Sequence, residues 1–410
     1  MHDASVTRAA RQAREGGVEF LAAALQASRR DTLATFAAVE RALPGLVVAV
    51  RPDLNPPLWE LGHLGWFQEY WLARQPLRAR GVAADPALAR LPPLRAGADA
   101  LYDSSRVPHD SRWTLPLPDA DATRADLAAQ LATTLALLRD VEHAGDDALY
   151  FFRLALLHED MHHEAALYMA QALGIAIADT RWQALPLPQP PAPLTFDRSV
   201  CALGSAAGTG FAFDNELRAH AVTTGPTTID AQVLRWVEFL PFVESGAYAD
   251  DRWWHDAGRA WRLQSSAVAP RYLRRSGALG RQWQQWRHGR WQRLDPTAAA
   301  THLTWHEAAA WCRWAGRRLP SEAEWERAAL EQPDAFRWGD VWEWTASVFA
   351  PYPGFAAHPY REYSAPWFDG RPVLRGASQM TQPRLRHPRY RNFFAPHRND
   401  VAAGFRTCSR

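Results

Sequence analysis

Cysteine is scarce in this 410-residue chain: Cys201, Cys312 and Cys408 are widely spaced and odd in number. That argues against a disulfide scaffold and fits a reducing compartment. Charge of one sign is also lacking. The 46 Lys+Arg residues, which are arginines, nearly balance 44 Asp+Glu, and the net charge of +2 gives no electrostatic case for nucleic acid or an anionic membrane. No run of 18 apolar residues occurs, and the opening stretch MHDASVTRAARQAREGG has no apolar segment of the kind a secretory signal needs. Internal repeats are absent. The expectation is a cytoplasmic protein with small-molecule partners, and with neither nucleic acid nor membrane among them.

What the chain does have is aromatic mass and two textures. Twenty Trp and ten Tyr call for dense packing or flat pockets. Residues 17–43, 57–74, 121–143 and 147–173 carry helical periodicity and are rich in Ala, Leu and Arg, predicting a four-helix up-down bundle. Asn55 and Pro56 read as the N-cap and first turn of the second helix, and Gly174 as the C-cap of the fourth. The proline-rich LPLPQPPAPL then marks a stiff connector. Beyond it, short β-prone segments dominate, with helices expected at WHEAAAWCRWAG and SEAEWERAAL. The expected division is a helical domain over 1–185, a linker over 186–194 and an α+β domain over 195–410.

The fourth helix contains LHEDMHHEAALYM, a literal H-E-x-x-H. At about 100° per residue, His158 and His162 share a face with Phe151, Ala155, Ala165 and Met169, whereas Glu159 and His163 point elsewhere. Two histidines at i, i+4 on an apolar stripe suit a metal better than ordinary packing. A zinc peptidase needs a third ligand soon after, and the sequence offers none. His63, in LWELGHLGWFQEYWL on a face with Trp59, Phe67 and Tyr70, can instead complete a three-histidine site inside the bundle. Such a site leaves open positions suited to Fe(II) with O2, and Zn(II) with water is also allowed.

His63, His158, His162 and Glu164 resemble the H…H-x-x-x-H-x-E pattern of the ergothioneine-biosynthesis sulfoxide synthases. FAFDNE (211–216), LTWHEAAAWCRWAGRRLPSEAEWERAA (303–329), GDVWEWTASVFAPYPGF (339–355), PYREYS (359–364), VLRGAS (373–378), YRNFF and AGFRTC resemble the formylglycine-generating-enzyme fold of those synthases. The resemblance implies an N-terminal DinB-like four-helix bundle and a C-terminal C-type-lectin-like domain. It further implies a mononuclear non-haem Fe(II) enzyme that uses O2 to join a chalcogen to imidazole C2 of hercynine, the trimethylated betaine of histidine. His63, His158 and His162 match the iron ligands, Tyr360 a proton-donating tyrosine, and Tyr363 and Asn392 positions around the betaine. A quaternary ammonium cannot donate an ordinary hydrogen bond, so aromatic faces suit it, and a tyrosine can deliver a proton without bringing a fixed charge. Formylglycine formation is not expected, because SQMTQPRLRHPRYRNFF lacks the cysteine pair of that chemistry.

The chalcogen donor is read from departures. In the subgroup that uses γ-glutamylcysteine, the asparagine is followed by an aromatic residue and an aspartate that pairs with the donor's amino group. Here Asn392 is followed by Phe393 and Phe394. The loop LYDSSRVPHDSRWTLPLP (101–118) replaces that subgroup's arginine pair with Arg106, His109 and Arg112. Together with APHRNDVAAGFRTC, these features resemble the selenoneine synthases, which implies a selenosugar donor. An ergothioneine sulfoxide synthase using cysteine or another thiol is the main alternative. A zinc-dependent thiol transferase and a non-catalytic lectin-like binding module are weaker ones.

Overall fold

The computed structural model describes residues 4–141, 145–208, 210–277, 280 and 282–410. Among these, six α-helices come first: α1 (Ala4–Glu15), α2 (Val18–Ala42), α3 (Pro57–Trp71), α4 (Ala98–Tyr102), α5 (Ala120–Arg139) and α6 (Asp146–Leu173). The four helices expected from periodicity are α2, α3, α5 and α6. Gly174 caps α6 in the left-handed region, φ 74°. Asn55 does not cap α3. The helix opens at Pro57 after Pro56, two residues with no N–H to satisfy, which moves its start past Asn55. The Asn55 amide instead donates to Glu60 Oε2 at 2.8 Å. Helix α1 was not expected from the sequence: what it buries is Ala10, Ala13 and Arg14, two small side chains and a charged one, with no large apolar residue among them.

Helix α3 is buried on nearly every face, as befits the central helix of the group. It packs against α4, α5 and α6, while α2 packs against α5 and α6. Two glycines permit this. A Cβ on Gly62 would stand 2.4 Å from the Tyr102 ring, and one on Gly65 would stand 2.0 Å from Gln130 Oε1.

After the proline-rich stretch come β1 (Leu194–Phe196), β2 (Ser199–Leu203), β3 (His220–Thr224), β4 (Thr227–Ile229), α7 (Trp236–Glu244) and α8 (Asp256–Ser265). They are followed by β5 (Leu273–Ser276), β6 (Gln282–Arg287), β7 (Arg290–Arg293), α9 (Trp305–Trp314) and α10 (Glu322–Glu331). The chain closes with β8 (Trp342–Val348), β9 (Pro372–Gly376), β10 (Asn392–Phe393) and β11 (Ala403–Gly404). The central sheet runs β10-β9-β8-β11, antiparallel except for the parallel β11–β8 pair. Helices α7 and α8 carry Pro241 and Gly258, which hid them in the sequence; burial of Trp236, Phe239 and Phe242 outweighs the poor propensity of α7.

The sequence motifs of this half form its scaffold. Trp325, Trp342 and Trp344 are almost fully buried. Arg406 pairs with Glu343, Arg375 with Glu326 and Arg391 with Glu322, all buried, tying the chain end to β8, and β9 and the residue before β10 to α10. The two halves are joined by polar contacts on α6. Arg384 grips Asp160 with two bonds of 2.7 Å. Glu164, buried, accepts from Trp342 Nε1 at 2.8 Å, Ser378 Oγ at 2.6 Å and Thr381 Oγ1 at 2.9 Å. No helix among the described residues is long and apolar enough to cross a membrane.

Candidate metal centre and its cavity

His63 lies mid-way along α3, with its ring stacked on Trp59 at 4.9 Å. Its Nδ1 donates to the Tyr102 carbonyl at 2.8 Å, which leaves Nε2 free. Opposite, on α6, His158 lies flat against Phe67 with ring centroids 3.4 Å apart, and His162 Nδ1 donates to the buried Glu60 carboxylate. One ligand atom from each of the three histidines lies within 4.8 Å of the others. The sequence thus placed three residues on two helices, and packing of α3 against α6 brings them together.

The electrostatics favour neutral imidazoles at His63 and His158. Burial, with the neighbouring His162, pushes His63 down to about 3, and burial holds His158 well below the ordinary histidine range. His158 Nε2 is buried with no hydrogen-bond partner. Unpartnered imidazole nitrogen costs desolvation energy that a bound cation would recover. The residues therefore fit a divalent transition metal held by three nitrogens. Glu60 and the Tyr102 carbonyl would act as outer partners that fix tautomer and ring orientation. Glu159 of the H-E-x-x-H string points away and holds Arg29 at 2.7 and 3.0 Å, and His163 bonds Thr35 Oγ1 at 3.0 Å. The glutamate that a peptidase would use as its base is therefore turned away from the cluster.

A cavity of about 860 Å³ runs from His158 and His162 to the C-terminal half, where Tyr360, Tyr363, Asn392, Phe393 and Phe394 line it. The Tyr360 ring meets Phe67 edge-on at 5.0 Å and His158 at 6.2 Å, and burial raises its pKa above the ordinary tyrosine value. Tyr363 stacks on Phe213 at 4.4 Å, and its hydroxyl meets that of Tyr390 at 3.0 Å. Asn392 pairs with Leu374 in the sheet, and Phe393 stacks on Phe349 at 4.1 Å. Phe394 lies under the Arg398 guanidinium at 5.1 Å.

The three basic residues of the 101–118 loop do not line this cavity. Arg106 is 81% exposed beside Asp103. His109 donates to the Leu54 carbonyl at 2.9 Å. Arg112 is buried flat over Trp59, 4.0 Å from the ring centre, and donates to Asn55 Oδ1 at 2.7 Å. His109 and Arg112 therefore shape the loop, and Ser104 and Ser105 present it to the cavity. Met161, Tyr168, Tyr390 and Arg398 also form walls, unanticipated from sequence. Met161 and Tyr168 were legible, since they continue the helical spacing of His158 through Ala165.

Residues 188–340 match the sulfatase-modifying factor enzyme 1-like domain family. A helical region thus precedes a C-terminal part with sheets, of which residues 188–340 carry this match. The hercynine oxygenase of Mycolicibacterium thermoresistibile is 31% identical, over 87% of this chain and 87% of that protein. That of Mycolicibacterium smegmatis is 30% identical, over 87% and 91%. The formylglycine-generating enzyme of Streptomyces coelicolor is 34% identical over 34% of this chain and 48% of its own length. Similarity that runs across both halves and takes in the histidine-bearing helices carries the assignment: the chain belongs to the hercynine oxygenase family of enzymes.

Proposed function

We propose that this protein is a non-haem iron enzyme that oxidatively joins a chalcogen to imidazole C2 of hercynine. The observation that carries the reading is the three-histidine cluster opening onto a cavity walled by tyrosine and phenylalanine. We read the fold as a DinB-like bundle over 1–185, a linker over 186–194 and a lectin-like domain over 195–410. His63, His158 and His162 would hold Fe(II), which supplies O2 activation and open positions beside the substrates. With a thiol donor, C2–H and S–H break, C2–S forms, one oxygen atom ends on sulfur and the other leaves as water.

The protein's own groups do the rest. The aromatic walls receive the trimethylammonium through cation–π attraction. Tyr360 Oη holds a proton close to the cluster, and its raised pKa keeps that proton in place through neutral pH. The Glu60 carboxylate accepts from His162 Nδ1, which leaves the other ring nitrogen of His162 available to the metal that the three histidines would hold. The cavity holds reactants together and turns a multi-body encounter into a local one.

Two readings of the donor differ in their support. The hercynine oxygenase relatives support ergothioneine-type sulfoxide synthesis from cysteine or another thiol. The donor-side wall supports a neutral, hydroxyl-rich donor, a selenosugar, joined to C2 by the same balance, with C2–H and Se–H broken, C2–Se formed, one oxygen atom on selenium and the other leaving as water. Arg371 and Arg398, which line the cavity, are already paired with Asp369 and Asp400, and Phe394 offers a ring where a carboxylate would hold an ammonium.

The test is anaerobic Fe(II) loading, followed by hercynine, O2 and a panel of cysteine, γ-glutamylcysteine, thiosugar and selenosugar, with products read by mass spectrometry. Turnover with cysteine alone would sink the selenosugar reading. His162→Ala with full iron content and full turnover would overturn the metal assignment. O2 consumption separates the iron reading from a zinc thiol transferase.

A further inference from the structure

The motif FAFDNE (211–216) does not line the cavity, yet it holds the segment that supplies two of its walls. Residues 358–364, HPYREYS, carry Tyr360 and Tyr363 and contain only one short helical turn, Arg361–Tyr363. The path of such a segment is set by what grips it from outside. Asp214, 2% exposed, grips both ends. The His358 amide donates to Oδ2 at 3.3 Å, and the Ser364 hydroxyl donates to Oδ1. Asn215 Nδ2 donates to Ser364 Oγ at 3.0 Å, and Phe213 stacks beneath Tyr363. Among the described residues no basic side chain forms an ion pair with the Asp214 carboxylate. A buried carboxylate without a counter-charge is costly. What it supplies is two acceptors on one rigid group, reaching two points six residues apart.

We propose that Asp214 is a positioning residue for the reaction: by clamping His358 and Ser364 it fixes where the Tyr360 hydroxyl and the Tyr363 ring meet the cavity. The clamp is a statement about geometry, and its effect on rate rests on the proton-donor role proposed for Tyr360.

The test uses the metal-loaded full chain and compares Ser364→Ala, Ser364→Thr, Asp214→Asn and Tyr360→Phe. Ser364→Ala removes one arm of the clamp with little change in packing, and kcat falls about ten- to a hundredfold, the scale of an ångström-sized misplacement. Ser364→Thr keeps the hydroxyl and the rate. Adding Tyr360→Phe to Ser364→Ala brings no further loss, because both act through one group. Amide hydrogen exchange speeds up over 358–364 in Ser364→Ala and Asp214→Asn but not over α6. Unchanged exchange in both variants overturns the clamp, as do losses that multiply with that of Tyr360→Phe. If Tyr360→Phe alone turns over at the wild-type rate, the proton-donor reading falls and exchange over 358–364 decides the clamp by itself.

Discussion

His158 and His162 share a helix face by spacing alone, but what makes them useful is the group behind each neighbour. Glu60, one turn before His63 on α3, reaches His162 Nδ1 from the other helix. Removing that carboxylate leaves the three nitrogens in place and loosens one ring. Glu60→Gln is therefore expected to weaken metal binding by about ten- to a hundredfold, the usual scale for an outer partner of a metal-ligating histidine. Competitive metal titration checks it, and His158→Ala in parallel should abolish stoichiometric binding. His63 was visible as a third ligand because it sat mid-helix among aromatics. Glu60 was not, because its partner lies 102 positions away.

At the scale of elements, close approach matters as much as periodicity. Gly62 lets Tyr102 lie against α3, and the Tyr102 carbonyl orients His63. In an exposed helix, glycine to alanine would stabilise by about 1 kcal/mol. Here the added Cβ must displace the Tyr102 ring, so Gly62→Ala is expected to lower both thermal stability and metal affinity. Thermal unfolding of the metal-free protein and metal titration read the two effects. Helix α10 shows a different device. Its Ser321–Glu324 capping box was legible in LPSEAEWERAA, but the partners of Glu324 were not. Burial alone would raise this carboxyl; Arg318, the Ser321 amide and the Thr227 hydroxyl outweigh it and bring it down to about 2 from 4.5. A lowered folded-state pKa means stability that is present above 4.5 and lost as pH falls toward 2. Glu324→Gln should thus destabilise the protein at pH 7, and the gap to wild type should close between pH 5 and 2. Denaturant unfolding across that range measures it.

Across the whole molecule, the cavity exists because the two halves are held in register. Histidines come from one half and Tyr360, Tyr363 and Asn392 from the other, and α6 carries the contacts between them. Asp160, fully buried, accepts two bonds from Arg384 and one from Ser28 at 2.7 Å. Arg384→Ala leaves that charge short of its cation and should cost about 3 kcal/mol or more. Because the seam also shapes the cavity, hercynine affinity should fall with it, while Asp256→Asn on the exposed side of α8 should leave affinity unchanged. Chemical denaturation and calorimetric titration of hercynine test this together. Arg106, His109 and Arg112 make the same point in reverse: three basic residues in one loop read as a binding set, yet one faces solvent and two fasten the loop to Leu54 and Asn55, just ahead of α3.

The sequence by itself determined the helix faces, the end of α6 at Gly174 and the metal-type spacing on α6. Those properties are local, set within one helical turn or by a glycine that takes the left-handed cap. It also carried the motifs that match a family, and so the expectation of two differently built halves. Only the tertiary structure decided that Glu60 backs His162, that Asp214 grips both ends of the tyrosine segment, and that Ser104 and Ser105 rather than the loop's arginines meet the cavity. Each depends on side chains tens to hundreds of positions apart, brought into hydrogen-bond range by burial of the aromatic core, and no spacing along the chain encodes such a distance.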